Sequence, residues 1–204
     1  MEIRERIITE AFTLFIKYGI HSVTMDQVAC QLGISKRTLY ENFSDKNALL
    51  VEGIEHFRKI MHAQANDILK NSTNVIEGIY FIGKHGEKMR KMVNPLFFED
   101  IRKYYPAIYA GISDKNRYNE YSIMQTLIKK GINDGVFNKE LNPEIVNAFW
   151  YEIMNIFMNE ENFPRDRYSQ EDLLKNTIIP YLLGISTVKG KGLIEKYFEK
   201  ETKS

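Results

Sequence analysis

Five residues in one short run, Lys36, Arg37, Thr38, Tyr40 and Glu41, carry the most specific chemistry in the chain. They offer an ammonium, a guanidinium, two hydroxyls and a carboxylate. A guanidinium or ammonium donates to guanine O6 and N7, and a carboxylate accepts from cytosine N4. Arg37 and Glu41 lie two residues either side of Leu39, about 200° around a helix axis at 3.6 residues per turn. Leu39 and Phe43 are four apart and share the opposite face, which must be the buried one. A helix beginning Ser-Lys-Arg-Thr therefore sets its donors at the end where a recognition helix meets base edges.

Two helix starts must hold that run in place. Thr24 is followed three residues later by Gln27, the spacing of a capping box, so a helix is predicted to open at about Met25. Gly33 tolerates the left-handed geometry found just past a helix end, and Ser35 is placed to cap the next helix. The turn between them is then roughly three to four residues, the length of a helix-turn-helix connection.

With these residues in view, the run from Ile3 to about Leu50 resembles the DNA-binding domain of the TetR/AcrR family of bacterial transcriptional regulators. The family pattern appears here as Phe15 to Gly19, Thr24, Val28-Ala29, Gly33-Ile34-Ser35, Thr38-Leu39-Tyr40, Phe43 and Lys46 to Leu49. The resemblance implies that Thr38, Tyr40 and Lys46 hold phosphates while Lys36, Arg37 and Glu41 face bases; Thr24 and Ser35 complete the expected DNA-binding set. It also implies an all-α chain, with a three-helix helix-turn-helix domain over residues 1–45 and a larger helical effector-binding and dimerisation domain over 46–204. The function implied is that of a homodimeric regulator on a palindromic double-stranded operator, a repressor released by a small-molecule effector. A helical enzyme or a protein-binding adaptor with an acquired helix-turn-helix is the alternative, and no catalytic constellation supports the first.

Bulk charge would not have pointed to nucleic acid. The 204 residues hold 28 basic and 27 acidic side chains. In the first fifty, Arg4, Arg6, Lys17, Lys36, Arg37 and Lys46 are balanced by Glu2, Glu5, Glu10, Asp26, Glu41 and Asp45. DNA binding must come from local placement, with a moderate salt dependence. The single cysteine, Cys30, excludes an internal disulfide and fits a reducing compartment. The N-terminus has no apolar signal core and no run is long enough to span a bilayer, so a cytoplasmic protein away from membranes is expected.

The remaining chain reads as successive helices. A first helix to Tyr18 carries a stripe of Ile3, Ile7, Ala11, Phe15 and Tyr18 and ends at Gly19. Ser44 is the expected cap of a long fourth helix reaching about Leu69 or Lys70. A fifth runs from about Val75 to Val93 and contains Gly83 and Gly86, for which close packing is a better explanation than room for a ligand. Asn94-Pro95 starts a short sixth helix that Pro106 limits. The segment from Gly111 to Asp114 reads as loop, and a helix carrying Ile123, Leu127, Ile128 and Ile132 follows. Gly131, Gly135 and Phe137 form a second, weaker resemblance to the family's C-terminal domains. Helices over about 143–158 and 170–185 follow, with a bend at Pro180.

Other chemistry is not supported. Gly184, Gly190 and Lys191 imitate a phosphate loop with the wrong spacing and no preceding strand. His21, His56, His62 and His85 show no metal-ligand pairing, so no metal or cofactor is expected. Aromatic residues crowd the middle of the chain, and Tyr80, Phe98, Tyr105 and Tyr121 are the candidate lining of a pocket for a mostly apolar or aromatic molecule. The helix over 143–158 carries Ile145, Phe149, Trp150, Ile153, Ile156 and Phe157, a stripe wide enough to face its own core and a partner. Phe149, Ile153, Ile178, Tyr181 and Leu182 form the expected dimer interface, with Tyr181 taken as outward.

Overall fold

The computed structural model describes residues 2–112, 123–159, 162–164 and 166–199. The helices are α1 (Ile3–Tyr18), α2 (Met25–Leu32), α3 (Lys36–Asn42), α4 (Lys46–Asn71), α5 (Val75–Met92), α6 (Pro95–Tyr104), α7 (Pro106–Ile112), α8 (Ile123–Asn133), α9 (Pro143–Met158), α10 (Gln170–Leu173), α11 (Ile179–Ile185) and α12 (Val188–Ile194). Wider π-helical turns cover Leu174–Ile178 and Glu195–Glu199. Among the described residues there is no strand, only an isolated bridge between Phe137 and Ser186, and the chain is all-α as expected.

Backbone contacts divide the chain into two compact units, residues 1–64 with 86–117, and residues 65–85 with 118–204. The first has a core of Ile7, Ala11, Phe15, Val28, Leu39 and Leu50, joined by Phe97 and Ile101 of α6. The predicted stripe of α1 is buried in its middle, whereas its ends, Ile3 and Tyr18, are exposed. Ile8 and Phe12 widen the buried face instead. The second unit packs Ile76, Ile128, Phe137, Leu182 and Ile194.

Several expectations need correction. Asp45 caps α4 in place of Ser44: its carboxylate accepts from the Ala48 amide at 2.8 Å, which lowers its pKa, and Ser44 only donates to it. An ionised carboxylate is the stronger partner for a free helix amide. Residues 111–112 belong to α7, which begins with Pro106 at its first position, where no amide is needed. Gly83 and Gly86 have no described atom within 4 Å of where a Cβ would stand, so packing does not explain them. Packing does demand Gly131, whose Cβ would lie 2.3 Å from the Phe137 ring, and Gly190, whose Cβ would lie 2.2 Å from the Val136 carbonyl oxygen. The spacing from Gly131 through Gly135 to Phe137 thus folds the ring back onto its own helix.

The bend expected at Pro180 appears as the π-helical turn over Leu174–Ile178. Proline cannot donate to the carbonyl of Asn176, and the wider turn takes up the mismatch while Asn176 donates its side chain to the Asp172 carbonyl at 2.8 Å.

Candidate nucleic-acid interface

The helix pair is built as its local sequence requires. The Gln27 amide donates to Thr24 Oγ1 at 3.2 Å and the Thr24 amide to Gln27 Oε1 at 2.7 Å, closing the capping box. At the far end of α2, Gly33 takes φ 65° and Ile34 N–H donates to the Ala29 carbonyl at 3.0 Å, a closure that a Cβ-bearing residue would strain. Ser35 then caps α3 by accepting from the Thr38 amide at 3.0 Å. Thr24 and Ser35 are therefore occupied as caps.

α1 fixes the pair from behind. Arg6 donates to the Leu32 carbonyl at 2.9 Å, at the end of α2. Arg4 donates to the Asn42 carbonyl at the end of α3, pairs with Glu52 and covers the Phe43 ring at 4.3 Å. Both guanidiniums meet the negative ends of their helices. α6 holds the preceding turn. Asn94 N–H donates to the Ile16 carbonyl at 2.7 Å, the buried Asp100 carboxylate accepts from the His21 amide at 2.7 Å, and the His21 ring stacks on Tyr104 at 4.6 Å. Nothing in the spacing of the sequence pointed to Asp100; its partner is a backbone amide 79 positions away.

On this support Leu39 is fully buried and Phe43 nearly so, and the opposite side of α3 faces solvent. The Arg37 side chain is 88% exposed and pairs with Glu41, Nε to Oε1 at 2.8 Å. Lys36 pairs with Asp26 of α2. Thr38 shares a 2.8 Å hydroxyl hydrogen bond with Ser35, and Tyr40 is half exposed. Lys46 is placed differently from these. Its ammonium donates to the Ile20 carbonyl, and burial lowers its pKa against the raising effect of Asp100.

The expected effector residues are divided between the units. Tyr80 lies in the second, its ring 5.3 Å from Phe198 and 6.0 Å from Tyr197. Phe98 and Tyr105 lie in the first; Phe98 is exposed, and burial raises the Tyr105 pKa. Tyr121 lies outside the described residues.

The expected dimer residues also separate. Ile178 and Leu182 are 4% and 0% exposed inside the second unit's own core, which removes them from an outward face. Tyr181 is turned inward as well: its hydroxyl donates to the Val146 carbonyl at 3.0 Å, and burial pushes its pKa up to about 12. Phe149 remains outward at 58% exposure with Ile153 partly covered, and Ile145 and Ile156 extend the same stripe at 68% and 52%. The stripe read from the sequence already contained that row, and α9 buries Val146 and Phe157 about 90° further round its axis.

Comparison with known proteins agrees with this geometry. Residues 7–52 match the family described as "Bacterial regulatory proteins, tetR family". The chain is 33% identical over 102 residues to the uncharacterised HTH-type transcriptional regulator YvaF of Bacillus subtilis, covering 50% of this chain and 53% of that one. It spans about half the length, or less, of the first relatives it matches. Among solved structures, a TetR-family transcriptional regulator from Cytophaga hutchinsonii shares the fold with a TM-score of 0.69 at 13% identity, over 90% of this chain and 94% of that one. The fatty acid degradation regulator FadR from Bacillus halodurans does so with a TM-score of 0.66 at 15% identity, over 91% and 96%. The matched segment covers most of α1, all of α2 and α3 and the start of α4, the elements that present Arg37 and its neighbours, and over that segment the chain is similar to the TetR family of bacterial regulatory proteins.

Proposed function

We propose that this chain is a sequence-specific DNA-binding regulator of transcription, a homodimeric repressor that binds a palindromic operator in the cytoplasm and is released by a small, largely apolar or aromatic ligand. The observation that carries the reading is the exposed row on α3, fixed from behind by buried Leu39 and by the α1 guanidiniums. In the bound state Arg37 and Lys36 donate to guanine edges and Glu41 accepts from cytosine, while Thr38 and Tyr40 meet phosphates. Thr24 and Ser35 sit at the helix starts nearest the backbone. Lys46 joins the phosphate contacts by exchanging the Ile20 carbonyl for a phosphate oxygen.

The dimer is proposed through α9, whose row of Ile145, Phe149 and Ile156 leaves apolar area in solvent that a two-fold axis would cover. The domain roles are proposed as residues 1–45 for DNA and 46–204 for effector and dimer. Tyr80, which lies in the second unit beside Tyr197 and Phe198, supports an apolar or aromatic effector. Effector binding shifts the dimer toward a spacing that no longer fits both half-sites, a coupling of about 1–3 kcal/mol. No helix among the described residues is long and apolar enough to cross a membrane. The test is a gel-shift titration of the purified chain against DNA from its own upstream region at low salt, repeated with small-molecule extracts. A specific shift that an apolar fraction reverses supports the reading, and binding indifferent to sequence counts against it.

A further inference from the structure

The six basic side chains of the first fifty residues are all engaged within the protein. Arg4, Arg6 and Lys46 donate to backbone carbonyls, and Lys17 lies over the Tyr18 ring. The two exposed cations of α3 are each held by a carboxylate, Lys36 by Asp26 and Arg37 by Glu41. Glu41 has its own use in a base contact, since it can accept from cytosine N4. Asp26 has none of that kind. It stands in the first turn of α2, beside the surface that would meet phosphates, where a negative charge only repels them.

We propose that Asp26 is a specificity-determining residue: it competes with DNA for the Lys36 ammonium, so that Lys36 is withheld from arbitrary sequences and given up where the operator holds it in register. This rests on the reading of α3 as the recognition helix. Non-specific complexes depend on phosphate neutralisation, and each phosphate neutralised steepens the fall of log K with log salt by about 0.9. A Lys36 held on Asp26 removes one such contact from every non-specific site, and the Asp26 charge weakens the rest. An exposed ion pair is easily exchanged, so a well-registered contact replaces it at small cost. The balance of charge over residues 1–50 fits this design: affinity is kept low until geometry is right.

The test uses the full chain as wild type, Asp26→Asn, Lys36→Ala and the double variant. The probes are a duplex of random sequence and a duplex that the wild type selects from a random pool. Asp26→Asn is expected to bind the random duplex about three- to tenfold tighter at low salt, with a salt slope steeper by about one unit. Binding to the selected duplex, where Lys36 is already given up, should tighten by a smaller factor than binding to the random duplex, lowering discrimination. Adding Lys36→Ala should return the slope to the wild-type value. An unchanged slope for Asp26→Asn overturns the proposal, and so does a gain that survives in the double variant. Equal losses on both duplexes with a lowered melting temperature would assign Asp26 to helix stability instead and also overturn it. A folded wild type that binds neither duplex at any salt fails the reading of α3 itself, an outcome distinct from the others.

Discussion

α3 and α9 divide their surfaces in opposite ways. α3 buries Leu39 and exposes Lys36, Arg37, Tyr40 and Glu41, with its cations already paired to carboxylates. α9 buries Val146 and Phe157 and exposes Ile145, Phe149 and Ile156. A helix that leaves donors outside is finished as a fold and waits for a polar, charged partner. One that leaves a row of large apolar side chains outside is unfinished, because covering the exposed half to two thirds of each is worth roughly 1–2 kcal/mol. On the proposed reading the first unit carries the surface that meets DNA, and the second a surface that a second copy of the chain would cover.

The largest effect is expected where this contrast is broken outright. Phe149→Glu would place a charge on the outward row, twice in a two-fold dimer, and should give a helical monomer whose operator affinity falls by about a hundredfold or more, since two linked half-sites become two separate ones. Sedimentation, circular dichroism and a gel shift on one sample decide; an intact dimer contradicts it. Tyr181→Glu is a poorer choice than sequence alone indicated, because it would remove the hydrogen bond to Val146 and strike the fold itself.

On α3 the two faces should fail in different currencies. Leu39→Ala should cost about 2–5 kcal/mol of stability in a denaturant melt. Arg37→Ala should leave the melt unchanged and remove about 1–3 kcal/mol of base discrimination, measured as the affinity ratio of selected to random DNA. Loss of stability in both variants would erase the distinction between the faces.

The glycines sharpen the packing side of the comparison. Gly131→Ala meets the Phe137 ring and should destabilise by about 1–3 kcal/mol, while Gly83→Ala meets nothing described within 4 Å and should stabilise by up to about 1 kcal/mol. Thermal melts of the two variants should move in opposite directions.

The smallest effect is a pH dependence confined to the second unit. Tyr181 has its folded pKa raised to about 12 from 10.0 by burial. A phenol raised in this way contributes its stability below pH 10 and loses it as pH rises from 10 towards 12. Because the side chain is only about half buried, the loss should be on the order of 1 kcal/mol after allowance for solvent screening. Melts of the wild type over that range, against Tyr181→Phe as the control that lacks the group, measure it.

How much of this was legible depended on the range of the interaction. The Thr24–Gln27 box, the Gly33 end, the Ser35 cap and the Leu39–Phe43 face all depend on residues within four positions of one another, and all stand in the structure as read. Asp45 displaced Ser44 by one position because two adjacent polar residues can both cap, and only geometry chooses. α7 was missed because Ala107 to Ala110 shows little periodicity after its proline. Ile178, Tyr181 and Leu182 read as outward because an apolar residue on a short helix has no label for core or interface. That choice is made by α9 packing against them, a contact more than thirty positions away in sequence. Asp100 and Asp26 were equally invisible, since the first supports a backbone amide and the second a lysine across a turn.

Whether α3 reads base sequence is decided by letting the pure chain select DNA from a random pool and sequencing what it retains. The expected result is enrichment of a palindrome whose half-sites are centred about one helical turn or a small multiple apart, with Arg37→Ala relaxing defined positions in each half. Recovered DNA indistinguishable from the starting pool, from a protein that remains folded, would contradict it.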